Sequence, residues 1–227
     1  MIKRRNFKLS WKYAFGEILL IFIGISLAIA FQNWNDERKL RALEKELLSD
    51  ISQSLIRDHF ELTQIRDSYL LAEKAAAKVL SFDGSKVQKD SLPIWLGQFI
   101  NFERFNPASS PYEVLKSAGL QTISNKRVRS LIADYYDDSV PKIIQALYDV
   151  EEDFENNAVA FFRDKFKDFK FKEYAIPKDI DTFMSDPSNQ IYFKIFRDNR
   201  DGAIDDLDSG IGLNEMVNFL ILHQLEE

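Results

Sequence analysis

The chain has no cysteine, only two histidines, and few backbone breakers, with eight glycines and six prolines in 227 residues. The lack of cysteine excludes a disulfide framework, a thiol nucleophile and a thiolate metal site, but fits reducing and oxidising compartments equally. The two histidines, His59 and His223, are far apart and not in ligand spacing. Each reads as a surface or packing residue. The phosphate-binding G-x-x-x-x-G-K-[ST], the nucleophile elbow G-x-S-x-G and the zinc motif H-E-x-x-H are all absent. Carboxylates are plentiful, but sequence alone does not pair two of them for acid–base chemistry. The expectation is therefore no catalytic residue, no cofactor and no metal. Few breakers beside 19 phenylalanines favour long helices with well-filled cores.

Charge is unevenly placed. Residues 1–12 carry Lys3, Arg4, Arg5, Lys8 and Lys12 and no acid, although the whole chain has a net charge of −6. A short basic tail, an apolar run and an acidic body form a topogenic arrangement rather than a nucleic-acid footprint, so no nucleic-acid partner is expected. From Ile18 to Phe31 no residue is charged. Tyr13 and Trp34 are separated by about 31 Å of helix, close to the ~30 Å hydrocarbon thickness of a bilayer. Trp11, Tyr13 and Trp34 fall where aromatic belts anchor a span. A buried soluble helix would show a polar face here, and this run shows none. A cleaved signal peptide ending at Ala28-Ile29-Ala30 is the stronger rival, but no polar region precedes that site and the helical pattern runs through it. We therefore expect a basic cytoplasmic tail at 1–12, an uncleaved transmembrane helix at 13–34 and an extracytoplasmic helical domain at 35–227. The basic tail stays inside; the body lies outside, in the periplasm of a double-membrane bacterium.

Glu17 lies roughly 6 Å inside the inner interface, where a carboxylate can snorkel to water. Glu17, Gly24 and Ala28 are seven and four residues apart, on one helical face. Gly24-x-x-x-Ala28 is a small-x-x-x-small pattern that lets helices approach closely in lipid. These three residues are the candidate packing face of the span.

The run Y-A-F-G-E-I-L-L-I-F-I-G-I-S-L-A, followed by N-W-N-D, resembles the N-terminal signature of an uncharacterised family of single-pass bacterial membrane proteins. The matching positions are Tyr13, Gly16, Glu17, Ile18, Gly24, Ile25, Ala28, Asn33 and Trp34. A second block, Ser117–Tyr136, is similar to a mid-chain segment of that family. The resemblance implies a retained membrane anchor and a helical body, and it transfers no catalytic residue.

Asn35–Leu80 has no proline or glycine, and Leu40, Leu43, Leu47, Ile51 and Leu55 step by three and four. A polar interruption at Asp58 and His59 precedes Leu62, Ile65, Tyr69, Ala72, Ala76 and Val79. This predicts one long helix growing out of the span. Asp83–Ser91 reads as a polar turn, with Asp90 or Ser91 capping a short buried helix and Pro93 in its first turn. Ser110-Pro111-Tyr112-Glu113 combines an N-cap, a proline at N1 and an acid at N3, and Gly119 ends that helix. Asn125 caps the next. The two helices around a glycine turn have helix-turn-helix geometry, which an acidic exported body does not support as a DNA reader. Pro141 breaks or kinks the chain behind a cap at Asp138 or Ser139. A helix from Ile143 to Phe169 follows, then a brief extended segment over Phe169–Ile176. Its interleaved phenylalanines and lysines read as a core stripe with a solvated basic face. Asp186-Pro187 starts another helix. Arg197–Gly212 reads as an acidic turn, because neither alignment of its glycines meets the calcium-loop template. Leu213–Leu225 closes the bundle.

The expected fold is all-α: a single transmembrane helix continuing into a long helix, packed in an elongated antiparallel bundle. The leading functional reading is a membrane-anchored, non-enzymatic interaction or scaffold module in the bacterial inner membrane. Its partners would be the lipid bilayer and either further copies of itself, as a homo-oligomer, or another membrane protein. The alternative is an extracytoplasmic sensory bundle that binds a small ligand and signals through a membrane partner.

Overall fold

Apolar residues at three- and four-residue steps, with no breaker between them, produce a single helix α1 over Trp11–Leu80. The computed structural model describes residues 11–226, so the basic residues Lys3, Arg4, Arg5 and Lys8 lie outside the described residues. Among these residues α1 is followed by α2 (Lys86–Phe99), α3 (Ser110–Ala118), α4 (Lys126–Ala133), α5 (Val140–Asp153) and α6 (Val159–Lys165). A hairpin of β1 (Phe166–Lys170) and β2 (Tyr174–Pro177) comes next, then α7 (Ile180–Ser185) and α8 (Pro187–Glu226). The fold is an all-α bundle carrying one antiparallel two-stranded hairpin.

The chain divides by contacts into two units, Met1–Glu46 and Leu47–Glu227. In the first, every residue from Ile18 to Phe31 is exposed. In the second, Leu47, Ile51, Leu55, Leu62, Ile65, Tyr69, Ala72, Ala76 and Val79 form the buried stripe of α1. Leu40 and Leu43, expected in that stripe, are exposed. Each fully buried Leu, Ile or Phe contributes about 1.5–3 kcal/mol, so this packing outweighs any helix propensity.

Four expectations need correction. Lys86–Ser91 is helical rather than a turn, because the cap sits earlier. Ser85 Oγ accepts from Gln88 N at 3.4 Å, while Gln88 Oε1 accepts from Asp83 N at 2.7 Å. Pro93 therefore lies in the middle of α2, tolerated because Leu92, Leu96 and Phe99 are buried around it. Pro141 does not break the helical run: it stands in the first turn of α5 behind Ser139, which makes no side-chain cap bond. The preceding turn, Asp134–Ser139, is π-wound and leaves the ring room where a tighter turn would clash. The helix expected to reach Phe169 ends at Lys165, where the chain extends into β1. β1 pairs antiparallel with β2, and the chain reverses through a turn at 171–173, where Lys172 has φ +64°. The hairpin brings Phe162, Phe166 and Phe169 together, with ring centroids 4.8 and 4.2 Å apart. Finally, Arg197–Gly212 is not a turn but the middle of the continuous helix α8. Its polar residues interrupt the composition but not the buried rhythm of Phe193, Phe196, Arg200, Ala203, Leu207, Gly210, Asn214, Val217 and Ile221.

The capping of α4 is as expected: Asn125 Oδ1 accepts from Arg127 N at 3.0 Å and Val128 N at 3.3 Å. The cap of α3 is Ser109, one residue before the expected Ser110, and Gly119 ends that helix at φ +93°. α7, which has no counterpart in the sequence reading, is capped by Asp179, whose Oδ1 accepts from Thr182 N at 2.8 Å.

Two glycines show where close approach matters. A Cβ on Gly97 would collide with the Tyr174 backbone, so α2 lies directly against β2. Gly212 faces open space. We expect Gly97→Ala to cost about 1–3 kcal/mol by overpacking, and Gly212→Ala to gain up to about 1 kcal/mol by helix propensity. Thermal melts of the full chain in mild detergent check both, and equal shifts for the two would contradict this packing.

Candidate functional site

Residues 100–109 form no regular structure and lie between α2 and α3. Such a segment must satisfy its backbone groups through side chains. The bundle supplies them at both ends.

At the start stands Arg200, fully buried on α8 at 1% exposure. One guanidinium nitrogen donates to the Phe99 carbonyl at 2.5 Å; another donates to the Asn101 carbonyl at 2.5 Å and to Asn101 Oδ1 at 3.3 Å. Its Cζ lies 4.9 Å from the Tyr69 ring centroid and 4.8 Å from that of Phe196. The charge thus rests on carbonyl oxygens and aromatic faces. Burial pulls its pKa down to about 10, opposed by Tyr69 and Glu103, so it remains charged at neutral pH. Burial also pushes the Tyr69 phenol up to about 12. The Tyr69 hydroxyl accepts from Glu103 N at 3.3 Å.

At the far end stands Asp58 on α1, also 1% exposed. Its carboxylate accepts from Ala108 N at 2.7 Å and from the Tyr135 hydroxyl at 3.0 Å. Burial raises its pKa, opposed by these two donors. Burial likewise raises the Tyr135 phenol, with the Asp58 charge adding to it. Between the ends, Glu103 accepts from Ser68 Oγ and Lys172 Nζ, each at 2.6 Å. Arg104 holds the nearly buried Glu151 through a bidentate ion pair, and Asn106 N donates to Glu61 Oε1 at 3.1 Å. The segment is clamped by a buried cation on carbonyls at one end and a buried anion on an N–H at the other.

α1 and α8 run antiparallel beside this clamp. Ser52 Oγ donates to Asn218 Oδ1 at 2.6 Å, and the buried Asn214 Nδ2 donates to the Leu55 carbonyl at 3.1 Å. Arg66 pairs with Asp208 further along. Over these contacts lies an open groove of about 300 Å³, lined by Ile56, His59, Asn214, Glu215, Asn218, Phe219 and Leu222. His59 Nδ1 is 3.8 Å from Glu215 Oε1. Ile56, Phe219 and Leu222 are exposed despite their size, as is Phe60 one turn along α1. The groove is open and mostly apolar in surface. Among the described residues no cluster of three metal-ligating side chains occurs.

Glu17, Gly24 and Ala28 are exposed in α1, and nothing lies within 4 Å of a Cβ placed on Gly24. Trp11 and Trp34 are exposed, and Trp34 contacts Phe31 (centroids 5.7 Å apart) and Arg38 (5.9 Å). Tyr13 belongs to the same helix. The segment from Ala14 is the one described helix long and apolar enough to cross a membrane.

Sequence reasoning passed over Asp58 and Arg200. The signal was phase: Asp58 sits three residues after Leu55 and four before Leu62, on the buried stripe. Arg200 sits four residues after Phe196 and three before Ala203. A charged residue in a core position marks a buried polar network more often than a break. No family model, curated protein or solved structure matches the chain.

Proposed function

We propose that the protein is a membrane-anchored, non-enzymatic helical interaction module of the bacterial inner membrane. The basic tail lies in the cytoplasm and the body in the periplasm. The observation that carries this reading is the wholly exposed apolar segment Ile18–Phe31, bounded by Trp11 and Trp34 on a helix that continues into a folded bundle. In water such a surface would aggregate; in lipid it is the stable state. The resemblance of the Tyr13–Trp34 block to single-pass membrane proteins supports it. An open apolar groove, rather than an enclosed polar cavity, favours docking of a macromolecule over sensing of a small ligand.

The face of Glu17, Gly24 and Ala28 is the proposed helix-packing surface within the bilayer, toward a further copy or another membrane protein. Purification of the full chain from its own cell in mild detergent tests it. Gly24→Leu and Glu17→Gln are expected to weaken the recovered complex by about tenfold, the effect of roughly 1–2 kcal/mol at a membrane helix contact. Unchanged recovery in both variants would rule the face out. A reporter enzyme active only inside the cell, placed after Glu227, is expected to be silent. Activity there would reverse the topology.

A further inference from the structure

We propose that Asp83-Gly84 is a modification site, where the chain isomerises to isoaspartate and so becomes a substrate for a carboxyl methyltransferase of the isoaspartyl-repair class. The proposal is independent of the membrane-anchored reading above. The chain holds two Asp-Gly pairs, Asp83-Gly84 and Asp201-Gly202, and no Asn-Gly pair. The fold treats the two differently. Asp83 and Gly84 are exposed in the irregular stretch between α1 and α2, whereas Asp201 and Gly202 lie inside α8.

Isomerisation requires the nitrogen of the following residue to reach the side-chain carbon. Among the described residues the Gly84 N–H donates to no acceptor, so that nitrogen is unengaged. Its neighbours are held on both sides: Asp83 N donates to Gln88 Oε1 at 2.7 Å, and Ser85 N donates to Asp83 Oδ1 at 2.8 Å. The second bond closes a ring that includes the Gly84 nitrogen, which folds the carboxyl back toward it. Gly84, at φ +77°, has no side chain to block the approach, and nothing lies within 4 Å of a Cβ placed there. In α8 the Gly202 N–H is spent on the carbonyl four residues back, and ring closure waits on local opening of the helix.

The reaction balances with water as its only co-reactant. In the protonated acid, Gly84 N bonds to Asp83 Cγ, and the amide proton leaves with the carboxyl hydroxyl as water. Water then opens the cyclic succinimide. Cleavage at the backbone carbonyl leaves Gly84 joined through Cγ, an isoaspartate of unchanged mass. Its new α-carboxylate is the group that a methyltransferase esterifies.

The test ages the full-length chain in mild detergent at neutral pH, folded and in urea. Purified isoaspartyl methyltransferase with labelled S-adenosylmethionine counts the product, and peptide fragmentation places it. In the folded chain isoaspartate is expected at Asp83 in roughly tenfold or greater excess over Asp201, which reacts only when its helix opens. In urea the two sites should approach equal yields, because the excess belongs to the fold and not to the dipeptide. Asp83→Glu should remove most of the folded chain's methyl uptake, since one more methylene makes ring closure slow while the carboxylate is kept. Equal yields at the two sites in the folded chain would overturn the proposal. So would no product at Asp83 over the time in which the unfolded chain forms it, or methyl uptake unchanged in Asp83→Glu.

Discussion

Arg200→Ala is expected to be the most damaging single substitution in the bundle, costing about 3–5 kcal/mol. It leaves the Phe99 and Asn101 carbonyls without their donor, each worth roughly 1–3 kcal/mol when buried. It also opens a cavity beneath Tyr69, Phe99 and Phe196, the rings stacked about the guanidinium. With ordinary domain stabilities of about 5–15 kcal/mol, that is a fifth of the total or more. Arg200→Met separates the two causes. It keeps most of the volume and removes the charge, so about half of the loss should return. Thermal melts of the full chain in mild detergent measure the size. Hydrogen exchange locates it: the amides of residues 100–109 should lose protection before those of α1. An alanine variant within 1 kcal/mol of the parent would show that the clamp carries no load.

The second large effect belongs to Asp58. Asp58→Ala strands the Ala108 N–H and the Tyr135 hydroxyl, for an expected loss of about 2–4 kcal/mol. Asp58→Asn keeps an acceptor for Ala108 and should cost far less at neutral pH. It also exposes a pH dependence. Burial lifts the folded carboxyl above its ordinary 3.8. Between 3.8 and the folded value, the folded protein holds a proton that the unfolded chain has released. Stability from this group is therefore fully present below 3.8 and falls as pH rises through the folded value. The neighbouring charges oppose one another, with Glu61 raising the carboxyl and Arg57 lowering it, while Tyr135 donates to it. Relative to the parent, Asp58→Asn should become progressively more stable as pH rises from 3.8 through the folded value. A flat difference, or one of opposite slope, would mean that the two donors outweigh burial.

Both residues show how far the sequence could be read. The rhythm of α1 was legible because each apolar position repeats every three or four residues without a breaker, and only period and length are needed to see it. The same rhythm continued through α8, yet Arg197–Gly212 was expected to be a turn. Its glycines and aspartates have the composition of a loop, while the phase of its buried residues is that of a helix. In the fold, Gly210 provides close approach to Ile143 on α5 rather than a turn. For a related reason, Pro141 does not break the helical run. Whether a proline ends a helix depends on the width of the turn before it, and here that turn, Asp134–Ser139, is π-wound with Tyr135 and Tyr136 buried.

The groove lay beyond sequence reasoning altogether. Ile56 and Phe219 are ordinary apolar residues on two helices more than 160 positions apart, and their exposure follows only from how those helices pair.

The sequence by itself determined the apolar opening helix, its aromatic ends, the long stripe of α1 and the caps at Asn125 and Gly119. These depend on local geometry and on partition between water and an apolar phase, which neighbours in the chain fully specify. Only the tertiary structure decided that Asp58 and Arg200 are buried clamps, that α8 is unbroken and that an apolar groove stays open. Those outcomes depend on which distant groups meet in a medium where an unpaired charge or carbonyl is costly.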